Sequence, residues 1–354
     1  MTWLDPDPFL RGVAWRDGVR PVRADPADLA RLPWDTAERA LLPTGVRLEF
    51  LAPGARAVEI RYRAAARGAA GGQAGLFALW QGGRCVAEVL VAPAEEAVTV
   101  IGLPPGEGPF TVHLPETLGP AVLGLRAVGG ALLPVPVRPR WVVHGDSITE
   151  GWWSTRPAHA WPAVAGRALG LDPVNLGYAG SARGELCVAE QIAGLPADVL
   201  TLAFGTNCWS SVPFSAPLLY ETVCAFVALV RAGHPGTPIL LVSPLLRPDA
   251  EDTPNALGAT LSELRTALER AGASLVRAGD ARLSVLPGRD VLGPEHLVDG
   301  LHPDDSGHAL LAAAVADALT PYVPLATENA RAATAARVQP SCTASQGKAC
   351  REGH

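Results

Sequence analysis

No block of like charge interrupts this sequence, and no apolar run looks long enough to cross a bilayer. Its 354 residues carry a formal net charge of −6, spread without an acidic or basic patch. That distribution gives no footing for nucleic acid or an anionic membrane as a partner. The most apolar stretch, Ser215 to Arg231, is interrupted by Glu221, so no membrane-spanning helix is expected. The opening residues Met1-Thr2-Trp3-Leu4-Asp5-Pro6 have neither a basic n-region nor an apolar h-region, and a cytoplasmic location is the expectation. The cysteines, at 85, 187, 208, 224, 342 and 350, show no CxxC spacing. This argues for reduced thiols rather than a disulfide framework or a zinc site. Lysine is almost missing: Lys348 stands alone and arginine supplies the other basic side chains, a compositional bias with no chemistry attached.

What is there is a chain long enough for two domains, 48% hydrophobic and 18% charged, able to bury a sizeable core. Up to residue 133 the pattern is short and β-like. Alternating or apolar segments occur at Val46–Leu51, Val58–Tyr62, Gly75–Trp80, Val86–Val91, Ala97–Ile101 and Pro109–Leu114, punctuated by Gly and Pro. That rhythm predicts an all-β, jelly-roll-like sandwich over residues 1–133. The glycine-rich stretch Gly68 to Gly75 opens no helix and reads as a flexible hairpin loop rather than a phosphate cradle. Residues 134–140 are Pro-spaced and read as a stiff linker.

From Trp141 the rhythm changes to strand–helix alternation. Strands are predicted at Trp141–His144, Pro173–Leu176, Val199–Phe204, Ile239–Ser243 and Ser274–Val276, and helices near Ala160–Leu169, Leu218–Arg231, Leu257–Ala271 and Ser306–Leu319. Alternation of this kind implies a parallel sheet covered by helices on both faces over residues 141–325. Ligands of such sheets sit at the carboxyl ends of the strands. Residues 326–354 are small and polar, and are expected to be a disordered tail without a catalytic part.

Candidate chemistry gathers at those strand ends. Gly145-Asp146-Ser147-Ile148-Thr149-Glu150-Gly151 follows the first α/β strand, and a serine there either caps a helix or presents a nucleophile beside a helix N-terminus. Gly180 follows the second strand and Asn207 the third. Alone each reads as a turn residue; together they offer a backbone N–H and a side-chain amide to a developing oxyanion. Asp299-Gly300-Leu301-His302-Pro303 places a carboxylate three residues before an imidazole, the base and orienter of acyl transfer. A metal held by His302, His308 and Asp304 is the weaker reading, since no Cys/His cluster supports it. Trp152, Trp153 and Trp209 stand near the motifs and serve either as core packing or as a wall for an acyl or sugar group.

The combination of blocks resembles the SGNH (GDSL) hydrolase superfamily across roughly residues 140–320. The resemblance implies a flavodoxin-like α/β/α domain with five parallel strands. It makes Ser147 nucleophile, His302 base and Asp299 orienter, with Ser147, Gly180 and Asn207 forming the oxyanion hole, and it needs neither cofactor nor metal. One departure is Cys208, where the family usually has Asp after the third-block Asn; a space-filling role suits it better than nucleophilic attack. A β-sandwich ahead of such a domain resembles carbohydrate esterases and acyltransferase-like proteins of bacterial natural-product pathways. The expected activity is therefore an esterase acting on a small-molecule or sugar O-acyl ester. The alternatives are an intracellular O-acyltransferase that passes the acyl group to a hydroxyl acceptor, and a non-catalytic glycan- or small-molecule-binding protein.

Overall fold

The computed structural model describes residues 2–65 and 75–323. Most of the glycine-rich stretch, and the tail with Cys342, Lys348 and Cys350, lie outside the described residues.

The N-terminal part is built from short strands: β1 (Leu10–Arg11), β2 (Trp15–Asp17), β3 (Arg20–Val22), β4 (Arg47–Leu51), β5 (Ala57–Ala64), β6 (Leu76–Gln81), β7 (Arg84–Leu90), β8 (Ala94–Gly102), β9 (Phe110–His113), β10 (Ala121–Val128) and β11 (Leu133–Pro134), with one helix, α1 (Trp34–Ala40). One sheet runs β1-β4-β9-β6-β7 with β11 added beside β4; a second runs β10-β5-β8; β2 and β3 form a separate hairpin. Along β5, Val58, Ile60 and Tyr62 are buried while Glu59 and Arg61 are half exposed, the period of two of a sheet with one covered face. Leu48, Phe50, Phe77 and Leu79 from one sheet meet Val58, Ile60, Ile101 and Leu125 from the other in a single apolar core. β10 and α1 are not evident in the sequence pattern. The Pro-spaced segment starts on the sheet edge, with Leu133 and Pro134 opposite Leu51 and Phe50.

The second half has five parallel strands, β12 (Arg140–Gly145), β13 (Asp172–Gly177), β14 (Val199–Ala203), β15 (Ile239–Val242) and β16 (Leu283–Leu286), in the order β13-β12-β14-β15-β16. Helices α2 (Ser147–Glu150), α3 (Trp161–Leu169), α4 (Leu186–Gly194), α5 (Ala216–Gly233), α6 (Leu261–Arg277) and α7 (Asp305–Leu319) connect and flank them. Alternation sorts the strand side chains. Val142, Val174, Leu200 and Leu202 face α4, α5 and α6, whereas Trp141, Val143, Val199 and Leu240 face α3 and α7. By length and composition α5 is able to cross a membrane despite Glu221. In the fold it buries Leu219, Val223, Phe226, Val227 and Val230 in the core beneath the sheet.

Two differences from the sequence pattern have physical reasons. Ser274–Val276 is not the fifth strand but the last turn of α6, and the fifth strand is Leu283–Leu286. Gly272 looks like a helix end, yet it permits close packing: a Cβ there would come within 2.5 Å of Val285 Cγ2 on β16. A capping box between Thr260 and Glu263 starts this helix, which runs on past the glycine to Arg277. α4, only nine residues long, has too few turns to display a clear period.

The two halves interlock. Ala24, Leu32 and Ala40 bury themselves in the core beneath the parallel sheet. Arg47 on β4 holds Glu49 at 2.7 Å and Asp172 at the start of β13 at 2.6 Å, and all three are buried. Buried charges survive when each has a hydrogen-bonded partner.

Gly272→Ala tests the close packing. In an open helix the change gains up to about 1 kcal/mol of propensity; here overpacking against Val285 costs about 1–3 kcal/mol. A lower urea midpoint than wild type is the expected outcome, and a higher one would disprove the close approach.

Candidate active site

Ser147 is set by what precedes it. β12 ends at Gly145, where any Cβ would lie 2.2 Å from Thr149 Oγ1 and 2.5 Å from the Ala203 carbonyl oxygen. Only glycine lets the chain turn there against β14. Asp146 is the N-cap of α2 and accepts the Ile148 N–H at 2.9 Å. Burial raises this carboxyl to about 6, against the opposing pull of the Ile148 and Thr149 amides. α2 lasts one turn, and the chain leaves it through Gly151 at φ +99°. Ser147 thus opens the helix, nearly buried.

The Asp299–His302 segment lies just before α7. Gly300, at φ +81°, curls it so that the Leu301 and His302 amides both donate to Asp299 Oδ1, at 3.1 and 2.8 Å. The His302 ring donates from Nδ1 to Asp299 Oδ2 at 2.7 Å, and its Nε2 lies 2.8 Å from Ser147 Oγ. An ionised carboxylate only accepts, so the proton sits on Nδ1 and Nε2 is left to accept from the serine hydroxyl. Partial burial by itself would raise the Asp299 pKa. The hydrogen bonds from the His302 ring and the two amides outweigh it and hold the carboxyl at about 2.

Two tryptophans brace this set. The Trp152 ring stacks on the His302 ring, 5.4 Å between centroids and 27° between planes. Its carbonyl accepts from His308 Nε2 at 3.1 Å, and burial holds His308 neutral, with a pKa of about 4. Trp153 sits at φ +64°, a conformation a bulky residue adopts only under constraint, and donates its indole N–H to Asp299 Oδ2 at 3.0 Å. Trp209 is engaged elsewhere: its N–H goes to the Thr253 carbonyl at 2.8 Å and the Arg247 guanidinium lies over its ring.

Gly145 is in register with Gly177 on β13 and Ala203 on β14, so the loops carrying Gly180 and Asn207 leave the same sheet edge as Ser147. Gly180 is exposed at φ +74°, with open space where a Cβ would be. Asn207 is buried in a tight turn, and its Nδ2 donates to the Ser181 carbonyl, tying the two loops together. Glu150 Oε2 accepts the Ala179 N–H at 2.7 Å, fixing the residue before Gly180. Arg39 pairs with Glu150 at both carboxylate oxygens and Arg23 lies 3.5 Å away.

Cys208 is buried, its Sγ 3.6 Å from the Arg183 carbonyl, and burial pushes its thiol far up, away from the thiolate form. Asn255 bonds the Cys208 and Phe214 carbonyls and supports the loop where the expected Asp is missing. His144 is neutral in the core, its pKa lowered to about 4 by burial, with its ring stacked on Phe226. Asp304 caps α7, and among the described residues no group of three His, Cys, Asp or Glu is arranged to hold a metal. The sequence pattern missed Arg23, Arg39, Glu150 and the Trp153–Asp299 bond. Nothing in local spacing signals a contact across more than a hundred residues.

Residues 143–310 match the family model described as GDSL-like lipase/acylhydrolase. This segment belongs to that family. The GDSL-like segment holds Ser147, Gly180, Asn207, Asp299 and His302, and the chain is an enzyme of the serine esterase or acyltransferase type. Among solved structures, the chain is similar to the salicylyl-acyltransferase SsfX3 from a tetracycline biosynthetic pathway, at 26% identity and TM-score 0.75, covering 86% of this chain and 92% of that one. It is also similar in fold to a family two carbohydrate esterase from Clostridium thermocellum in complex with cellohexaose, at 16% identity and TM-score 0.61 over 78% and 91% of the two chains. A third is the acetyl xylan esterase Est2A from Butyrivibrio proteoclasticus, at 13% identity and TM-score 0.62 over 90% and 98%. A search of curated proteins gave no match.

Trp153→Phe removes one N–H from Asp299 and keeps a ring. The expected result is a roughly three- to tenfold lower kcat with KM nearly unchanged; equal loss in both constants would mean a substrate-wall role instead. Asp299 has a folded-state pKa below its ordinary 3.8, so its stabilisation is present above that value and is lost as pH falls through about 2. Asp299→Asn should melt below wild type at about pH 6, with the gap closing between about pH 4 and pH 2.

Proposed function

We propose that the chain is a serine-dependent acyl-ester hydrolase working through an acyl-enzyme on Ser147. The observation that carries this reading is the relay from Ser147 Oγ to His302 Nε2, 2.8 Å, and from His302 Nδ1 to Asp299 Oδ2, 2.7 Å. His302 takes the hydroxyl proton as Ser147 Oγ attacks the ester carbonyl, and Asp299 stabilises the imidazolium. The Ser147 and Gly180 N–H groups and the Asn207 amide receive the oxyanion. The imidazolium then protonates the leaving alcohol, and water, activated by the same imidazole, releases the acid. No cofactor is required by this route. A small-molecule or sugar O-acyl ester is the proposed substrate class, and the cytoplasm is the proposed location.

A second reading, transfer of the acyl group to an acceptor hydroxyl instead of water, is favoured by the likeness to SsfX3, a salicylyl-acyltransferase, over 86% of the chain. It differs only in what intercepts the acyl-enzyme. Incubating an activated ester with candidate alcohols separates the two, since free acid as the sole product excludes transfer.

A fluorophosphonate probe should add one adduct to the wild type and none to Ser147→Ala by intact mass; no adduct on either would refute an activated serine. Asn207→Ala should lower kcat on the order of a hundredfold, and an unchanged kcat would remove Asn207 from the oxyanion site.

A further inference from the structure

Gly180 has no Cβ to restrict it and stands exposed at φ +74°. Its N–H keeps one direction only if the peptides on either side of it are fixed. On the upstream side Glu150 holds the Ala179 N–H at 2.7 Å. On the downstream side the Gly180 carbonyl accepts from Arg183 Nη1 at 3.2 Å. With both neighbours tied, the peptide between Ala179 and Gly180 is kept from swinging like a crankshaft. The next carbonyl, that of Ser181, is the one that Asn207 holds.

Arg183 is itself locked. Its guanidinium takes Asp35 on α1 at both carboxylate oxygens, Nη1 to Oδ2 at 2.8 Å and Nη2 to Oδ1 at 3.2 Å. Such a fork fixes orientation as well as distance. Nε donates to Glu185 at 3.0 Å, and Glu185 also accepts the Arg183 N–H at 2.8 Å and the Ser181 hydroxyl at 3.1 Å. Two carboxylates thus balance the positive charge, and Arg183 acts on the loop by geometry rather than by its field. Between Ser181 and Arg183, Ala182 is fully buried at φ +60°, a backbone that alanine keeps only where the surroundings over-determine it.

Asp35 stands 148 residues before Arg183, on the short helix between β3 and β4. Partial burial by itself would raise its carboxyl. The hydrogen bonds and charge of Arg183 outweigh this and hold it below its ordinary value, so it is ionised at neutral pH. One residue on, Thr36 is buried against Ser181, hydroxyl to hydroxyl. Arg39 of the same helix takes Glu150. A helix from the N-terminal part therefore grips the loop on both sides of Gly180, through Arg39 and Glu150 before it and through Asp35 and Arg183 after it.

We propose that Arg183, aimed by Asp35, is a positioning residue for acyl transfer: it fixes the Gly180 carbonyl and thereby the direction of the Gly180 N–H that meets the oxyanion. The inference rests on the reading of Ser147 as nucleophile, and it gives a side chain of the N-terminal part a share in transition-state stabilisation. Arg183 acts through Gly180, so its loss weakens the grip on the oxyanion and leaves the binding of the ground-state ester in place.

Steady-state hydrolysis of p-nitrophenyl acetate by the full chain, with inhibition by an alkyl trifluoromethyl ketone, tests it. Ser147 Oγ adds to the ketone carbon, its proton passes to His302, and the hemiketal oxygen carries the charge that the oxyanion carries in turnover. Arg183→Lys keeps the charge and loses the fork; Asp35→Asn keeps the shape and loses the charge. Each should lower kcat about tenfold, less than the loss of a whole oxyanion donor, with KM within about twofold of wild type. The ketone Ki should rise by the same factor as kcat falls, and the double variant should be no worse than Arg183→Lys, because Asp35 acts through Arg183. Wild-type kcat in both variants, a change confined to KM, an unchanged Ki, or a lower Tm without loss of kcat would each overturn the positioning role. Multiplying losses in the double variant would overturn the aiming of Arg183 by Asp35. If Arg183→Lys fails to fold, Asp35→Asn decides by the same readings. A wild type without turnover and without ketone inhibition would remove the Ser147 reading and this inference with it, whereas an active wild type with unaffected variants removes this inference alone.

Discussion

The carboxylate of Glu150 is the point at which three separated stretches of chain meet. It stands at the end of the single helical turn that begins with Ser147. One oxygen holds the Ala179 amide in the loop that carries Gly180, and Arg39 and Arg23 approach from the N-terminal segment. A fully buried charge is tolerable only with such partners. With them, Ser147, the loop of Gly180 and the N-terminal wall are referenced to one group. The one-turn helix would otherwise have little to hold it, since short helices have little stability of their own.

The relay is a local device resting on this frame. Asp299 and His302 are three residues apart and organise each other through side-chain and backbone hydrogen bonds around Gly300. Their aim toward Ser147, however, is set by surfaces contributed from afar. Trp152 stacks on one side of the imidazole, with its own carbonyl held by His308, and Trp153 reaches Asp299 by adopting a left-handed backbone. Rigidity of this kind holds the Ser147 hydroxyl and the His302 ring within hydrogen-bonding distance.

Much of this was legible beforehand, for identifiable reasons. The parallel strands from β12 to β15 are short apolar runs bounded by Gly and Pro, and the blocks around Ser147, Gly180, Asn207 and Asp299–His302 follow strand ends or enter a helix, positions a sequence displays. The fifth strand was misplaced because Gly272 imitates a helix terminus while serving close packing against Val285. The ion pairs of Arg23, Arg39 and Arg47 were invisible because a charged residue shows nothing in sequence about whether it is buried. Trp153 was legible as an aromatic near the site but not as a hydrogen-bond donor, since its unusual φ has no signature in a tryptophan.

Arg23 and Arg39 carry one more consequence, for how such a protein can be assembled in evolution. Two modules joined by a linker can be exchanged as cassettes when each closes its own core. Here the segment between β3 and β4 buries Ala24, Leu32 and Ala40 beneath the parallel sheet and delivers the counter-charges of Glu150. The chain therefore starts on the sandwich at β1, crosses to the parallel-sheet half after β3, returns to the sandwich at β4 and crosses again at residue 140. Recombination at the apparent linker would separate Ser147 from the cations that its helix depends on.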